Sequence, residues 1–397
     1  MPIQVFPTPS AGASYSSQPP ASASSVLLDG QLVTASSIST SVTGTGAPWL
    51  LYVNGAGGAK ITIAGTPYTV TAGSTVGTSA YTGSQSVTVA AISAPVTFSS
   101  STMPSGSAGW NGVAYGSSNF VTVSNGSTVG GYSSNGTTWT SMTMPSAANW
   151  NLIAAGNGYF VSVAQSATTA AYSTNGTSWT NSTMPSANSW SAGTYGNGTF
   201  VIVSFTNGAY STNNGSSWSA MTLPGSSRYW DSVAYGTIGA TGYFVTVCQL
   251  GSAAYSTNGT TWTASTMSSA GNWYGVAYGN STFSAIQPGS TAGSYSTNGT
   301  SWTAMTMPSA ANWASITYGN GYFVSTTNGG TTNAAYSTNG YTWSVSTLPA
   351  AGSWAYVTYG NGTFVSVTQS STAVGAYVST VSTPVAYGIY NGATVRA

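Results

Sequence analysis

The chain has 397 residues, of which three are Lys or Arg and two are Asp or Glu; it has no histidine, one cysteine and a formal net charge of +1. So little positive charge excludes a nucleic-acid partner, because nothing can neutralise a run of phosphates. The single Cys248 excludes an internal disulfide, and without clustered His, Cys or carboxylate neither a metal site nor a cofactor is expected.

In chain order, residues 1–25 are rich in Pro, Ser and Ala and read as an extended arm. They lack the basic and apolar segments of an export signal, so a chain made in a cytoplasm is expected. No apolar run reaches the 18 residues of a membrane-spanning helix, and no membrane insertion is expected. Residues 26–94 carry short alternating runs such as Gln31-Leu-Val-Thr34, Trp49-Leu-Leu-Tyr-Val53 and Ser86-Val-Thr-Val89, separated by Gly and Pro. They predict a small β-sandwich-like domain suited to attachment or oligomerisation.

Residues 95–380 repeat one unit of about forty residues seven times, anchored on Trp110, Trp150, Trp190, Trp230, Trp273, Trp313 and Trp354. Each unit offers four strand signals. Strand A is the Trp110-Asn-Gly-Val-Ala-Tyr-Gly116 type and strand B the Phe120-Val-Thr-Val123 type. Strand C holds a marker tyrosine such as Tyr172. An Asn-Gly hairpin, as in Asn175-Gly176, leads to strand D at a second Trp such as Trp179. The A, B and C strands number seven, whereas six D strands follow a C strand. The missing one aligns with the segment at Phe98, which shares the spacing to Pro104 that Trp139 has to Pro145. An all-β, seven-bladed propeller closed by an N-terminal strand is therefore predicted. The tail, 381–397, lies beyond the last blade and is placed against the N-terminal domain.

The Ser-Thr-Asn-Gly-x-x-Trp turns, typified by Ser173 to Trp179, resemble the Asp-box of sialidase-like (BNR) propeller repeats, with Asn in place of Asp. Only the copy from Ser211 to Trp218 keeps the family length. The Tyr-Gly-Asn-Gly-x-Phe-Val phrase is similar to propeller repeats of bacterial and phage proteins and of photosystem II assembly factors. The resemblance implies the propeller fold and puts the boxes on C–D turns away from the ligand face. There Ser and Asn are expected to hold the turn and Trp to fill space between blades.

Catalytic constellations are missing. The only acids are Asp29 and Asp231, too few for a paired-carboxylate glycosidase within the repeats. Nucleophile systems that need histidine have none. The chain accordingly reads as no enzyme, with no catalytic residue.

In a propeller the B–C and D–A loops share one face. The D–A segments are near copies of Met-Pro-Ser-Ala and read as loops, while the B–C loops vary, marking the surface free to specialise. Five blades put an amide five residues after the strand-B Phe: Asn125, Gln165, Gln249, Asn328 and Gln369. Gln287 falls one position earlier, and Phe205 replaces the amide in blade 3. Such a ring suits sugar hydroxyls; equally, these amides can serve their own loop backbones. Blade 4 adds Arg228, Tyr229 and Asp231, either as a surface ion pair or as a spot that grips a partner.

Together these features give an expected function. The chain reads as a virion structural protein, a tail or head fibre or other appendage of a bacteriophage. It would dock on other virion proteins through residues 1–94, form a homo-oligomer in the assembly and display its propeller to a host-surface glycan. Its place is the particle surface, after synthesis in the host cytoplasm. Two alternatives are a secreted or cell-surface lectin-like propeller and a purely structural decoration or assembly factor.

Overall fold

The computed structural model describes residues 25–28, 31–34, 37–53, 59–70, 75–91, 96, 98–106, 109–205, 207–225, 229–369, 374–379 and 387–390. Every element among them is a strand except one 3-10 turn, Gln249–Gly251. The chain divides into Val96–Thr380 and a second unit of Met1–Pro95 with Val381–Ala397.

The second unit is one seven-stranded sheet. Its order is Gln31–Thr34, Ser25–Leu28, Tyr387–Tyr390, Ser37–Val53, Thr75–Ala91, Ala59–Ile63 and Thr66–Val70. The third strand comes from the far end of the chain. It runs parallel to Ser25–Leu28 and antiparallel to Ser37–Val53.

The Val96–Thr380 unit is a seven-bladed β-propeller. Its seven four-stranded antiparallel sheets each follow the order A-B-C-D. The innermost A strands are Trp110–Gly116, Trp150–Gly156, Trp190–Gly196, Trp230–Ile238, Gly275–Gly279, Trp313–Gly319 and Tyr356–Gly360. They pack side by side in chain order, and the last packs against the first, so the ring is closed. The outer strand of blade 7 is Ser99–Thr102, paired antiparallel with Val374–Ser379 from Val374↔Thr102 to Tyr377↔Ser99. The closing strand is therefore taken from upstream of blade 1, as the sequence predicts.

The anchor tryptophans are all at most 1% exposed, and each strand-B phenylalanine is fully buried. The Tyr-Gly pair that ends most A strands joins neighbouring blades. A Cβ built on Gly236 would lie 2.0 Å from the ring of Tyr278 in the next blade. Tyr195 covers Gly156, Tyr235 covers Gly196, Tyr318 covers Gly279, Tyr359 covers Gly319, and Tyr115 covers Gly360 across the closure, all at 1.9–2.1 Å on the same measure. Each of these tyrosines also lies 4.8 Å, centroid to centroid, from the phenylalanine of its own blade. At the seventh junction Ala155 replaces the tyrosine opposite Gly116.

The C–D turns are held by their own side chains. Ser133 Oγ accepts the Asn135 and Gly136 N–H groups at 3.3 and 2.9 Å, and Asn135 Oδ1 accepts those of Thr137 and Thr138 at 2.9 Å each. The same bonds recur at Ser173/Asn175, Ser256/Asn258 and Ser337/Asn339. The longer copy at Ser211 spans one more residue to Gly215. Side-chain amides then cross between blades on this face, as from Asn361 Nδ2 to the Ser134 carbonyl at 3.2 Å.

One expectation is corrected. The Met-Pro-Ser-Ala segments are not free loops in blades 1, 2, 5 and 6, where strand D runs through them as Thr140–Ala148, Thr180–Asn188, Thr303–Ala311 and Ser344–Gly352. In blade 1 pairing lapses between Val129↔Thr143 and Ser127↔Ala148, and Pro145 sits in that gap. An outer strand has a free edge, so a proline in a bulge there sacrifices no ladder bond.

Two glycine substitutions separate packing from backbone strain. Gly236→Ala is expected to cost about 3 kcal/mol through the clash with Tyr278. Gly158→Ala meets open space at φ +76° and should cost only about 1 kcal/mol. Urea unfolding of the two variants measures the difference.

Candidate functional site

With four antiparallel strands per blade, the B–C and D–A connections share one face. The B–C position is fixed by backbone. Asn125, Gln165, Gln249, Asn328 and Gln369 each donate their main-chain N–H to the carbonyl just before their own blade's anchor tryptophan. The acceptors are Gly109, Asn149, Tyr229, Asn312 and Ser353, at 2.8–3.2 Å. This shared turn accounts for the constant five-residue spacing from the phenylalanine.

The side chains at that position differ. Asn125, Gln165 and Gln369 are exposed, whereas Asn328 and Gln249 are half-buried. Gln369 Nε2 reaches Asn111 Oδ1 at 3.5 Å and the Tyr356 hydroxyl at 3.4 Å. Burial pushes the Tyr356 phenol up to about 12, partly offset by that bond. Gln287 is buried, with Nε2 3.4 Å from Ser269 Oγ, and its amide fills the space beside Gly271. The amides therefore do not act as one uniform ring: Gln287 is structural, and the others stand one to a blade.

Blade 4 brings several groups together. Tyr229 is 48% exposed, and its ring lies 4.0 Å from that of Phe205, tilted by 35°. Asp231 follows the anchor Trp230 at a bulge in strand A, between Trp230 and Ser232. A bulge re-aims the side chain that it carries. Gln249 reaches back to this carboxyl through its side chain and to Tyr229 through its main chain. Burial pushes the Asp231 acid up to about 7, while the Gln249 bond pulls it down. Tyr274, the residue after the next anchor tryptophan, is raised by burial and then by the charge of Asp231. Cys248 is buried, and its thiol donates to the Gln249 carbonyl at 3.1 Å.

Of the residues expected at the site, Tyr229, Asp231 and Gln249 are thus brought together, and Arg228 lies outside the described residues. Sequence reasoning passed over Tyr274 and treated Phe205 only as a lost amide. Their signal was a large aromatic at a loop position where other blades carry small or amide side chains. No group of three or more potential metal ligands occurs among the described residues.

Neither a protein-family model nor a curated protein matches the chain. Solved structures do. Virginiamycin B lyase from Staphylococcus aureus superposes with a TM-score of 0.62 at 14% identity, over 71% of this chain and 98% of that one. YCF48 from Cyanidioschyzon merolae gives 0.54 at 12%, over 71% and 98%. The Neurospora crassa Pan2 WD40 domain gives 0.51 at 7%, over 68% and 89%. At such identities the likeness shows the propeller fold alone. It nevertheless corrects the expectation that this chain is no enzyme. A propeller of this shape is a lyase in another protein, so the fold itself leaves catalysis open.

The two kinds of amide should separate by stability. Gln287→Ala is expected to lose about 1–2 kcal/mol, and Gln165→Ala to stay within about 0.5 kcal/mol of the parent. Guanidinium midpoints read both.

Proposed function

We propose that the chain is a bacteriophage virion appendage protein whose propeller presents its B–C/D–A face to a host-surface glycan. One observation supports this most: the exposed Tyr229, its ring packed on the half-buried Phe205, beside Asp231 and Gln249, on an otherwise repetitive scaffold. A sugar ring lays its apolar face on an aromatic and its hydroxyls against planar amide and carboxyl groups. The near-absence of charge keeps such contacts insensitive to salt and suits a surface held in an assembly. Attachment to other virion proteins belongs, on this reading, to residues 1–94. The Asp-box likeness of the turns is consistent with a propeller used as a rigid display platform.

A second reading, catalysis on the same face, draws on the fold shared with virginiamycin B lyase. A variant of that lyase with histidine changed to alanine is inactive and has been solved with quinupristin. This chain has no histidine, so any chemistry here would rest on other groups, with Asp231 foremost. Incubation with quinupristin, followed by chromatography that separates a ring-opened isomer from the parent compound, tests it directly: a new product supports this reading and unchanged quinupristin removes it.

For the leading reading, the full chain is applied to an array of bacterial surface glycans, with Tyr229→Ala alongside. Binding by the parent and a loss of about tenfold or more in the variant are expected. Parent and variant binding equally would remove the blade 4 site, and no binding by either would remove the glycan.

A further inference from the structure

We propose that Asp231 is a proton-operated strut between blades 4 and 5: as the neutral acid it donates to the Trp273 carbonyl, and as the carboxylate it cannot.

The neighbouring blades show the pattern. Asn151, next after Trp150, donates through Nδ2 to the carbonyl of Trp190, the next blade's anchor, at 2.8 Å. Ser191, next after Trp190, donates through Oγ to the Trp230 carbonyl at 2.5 Å. Both sit at the strand-A bulge, as Asp231 does. Further round, Thr326 donates to the Trp354 carbonyl at 2.8 Å. The bulge residue of blade 4 is thus the third in a row whose place calls for a donor toward the next anchor carbonyl, here Trp273. The seam is close-packed there: Trp273 N–H bonds the Cys248 carbonyl at 3.4 Å, and Val276 N–H bonds Ser232 Oγ at 3.1 Å. An ionised carboxylate has no hydrogen to give; a neutral one has a single O–H.

The second observation is independent. Asp231 Oδ2 is buried and accepts no hydrogen bond from the described residues. A carboxylate oxygen so placed would lose its hydration without replacement, whereas a carboxylic O–H turned inward needs only an acceptor. The elevated acid constant agrees with this geometry.

The surroundings hold few competing charges. Between Val96 and Thr380 the only formally charged residues are Arg228 and Asp231. The groups that interact with Asp231 are the Tyr274 phenol from blade 5 and, from blade 4 itself, the neutral Gln249 amide. Arg228 lies three residues upstream, outside the described residues. Asp231 is therefore the propeller's one carboxyl side chain. Its ionisation would loosen the seam two residues along the chain from Tyr229, whose ring packs on Phe205. That consequence for binding rests on the reading of this face given above; the strut itself does not.

The folded chain holds this proton more tightly than the unfolded chain, whose carboxyl has the ordinary value of 3.8 against about 7. The unfolded state binds fewer protons over that interval, so stability falls as pH rises through it and levels above. The test is thermal unfolding of the full chain from about pH 4 to 9, comparing the parent with Asp231→Asn, whose amide copies Asn151. The difference between the two curves removes Asp29 and the termini. The parent curve should fall with pH, the Asp231→Asn curve should stay flat, and the variant should be the more stable above neutrality. Infrared spectra should show a protonated-carboxyl band at pH 5 that is lost on alkalinisation and absent from the variant. Equal slopes, or an ionised Asp231 at pH 5, would overturn the proposal. Should Asp231→Asn fail to fold, Asp231→Ser, which copies Ser191, takes its place under the same criteria. Glycan binding at both ends of the range separates the two ideas: a sloping parent curve with no binding at any pH removes the glycan alone, and a flat curve removes the strut whatever binds.

Discussion

The propeller depends on a tyrosine ring lying flat on a glycine of the neighbouring blade. At six of the seven junctions no side chain larger than hydrogen fits under that ring. The phenylalanine of the same blade packs against each of these tyrosines at a tilt. Blade spacing is thus set by the thickness of one aromatic ring against bare backbone, repeated until the circle shuts at Tyr115 over Gly360. Sheets in a propeller must meet face to face at a constant angle, and one repeated contact fixes that angle seven times. Where Ala155 stands in for tyrosine, the junction is held instead by smaller contacts to Ala155 and Phe160.

This protein also shows how a nearly ion-free chain satisfies its polar groups. Serine and asparagine act as local donors and acceptors: they close the C–D turns, bridge blades on the same face and, at the strand-A bulges, cross between blades near the anchor tryptophans. None of these groups titrates, so the network is indifferent to pH except where an acid has entered it. That exception, Asp231, lies two residues from the exposed Tyr229, whose ring packs on the half-buried Phe205.

Much of the fold was legible because the repeat is regular. The tryptophan period gave the blade count, the Asn-Gly pairs gave the C–D turns, and the Phe98 segment betrayed itself by matching Trp139 in its spacing to proline. The reach of strand D was hidden because Met-Pro-Ser-Ala looks like a turn; proline is excluded from central strands but not from a bulged outer edge. The amide positions were legible and their roles were not. Spacing records the turn that the backbone makes, whereas Gln287 turning inward and Gln165 turning outward depend on what the next blade offers. Tyr274 escaped notice because its importance comes from facing Asp231 across a seam, a relation between units some forty residues apart. The fold likewise could not decide for or against catalysis, since similar propellers include a lyase.

The strand Tyr387–Tyr390 lies between Ser25–Leu28 and Ser37–Val53 in the order of the second sheet. Without it that sheet falls into a two-stranded and a four-stranded piece. A ribosome makes Tyr387–Tyr390 after the other six strands of this sheet and after the propeller strands, so the sheet stays divided while the propeller is being made. During that interval the early strands carry open edges, which invite pairing with another chain. Closure of this sheet is therefore tied to the strand that follows the propeller, whose backbone supplies both neighbouring edges at once.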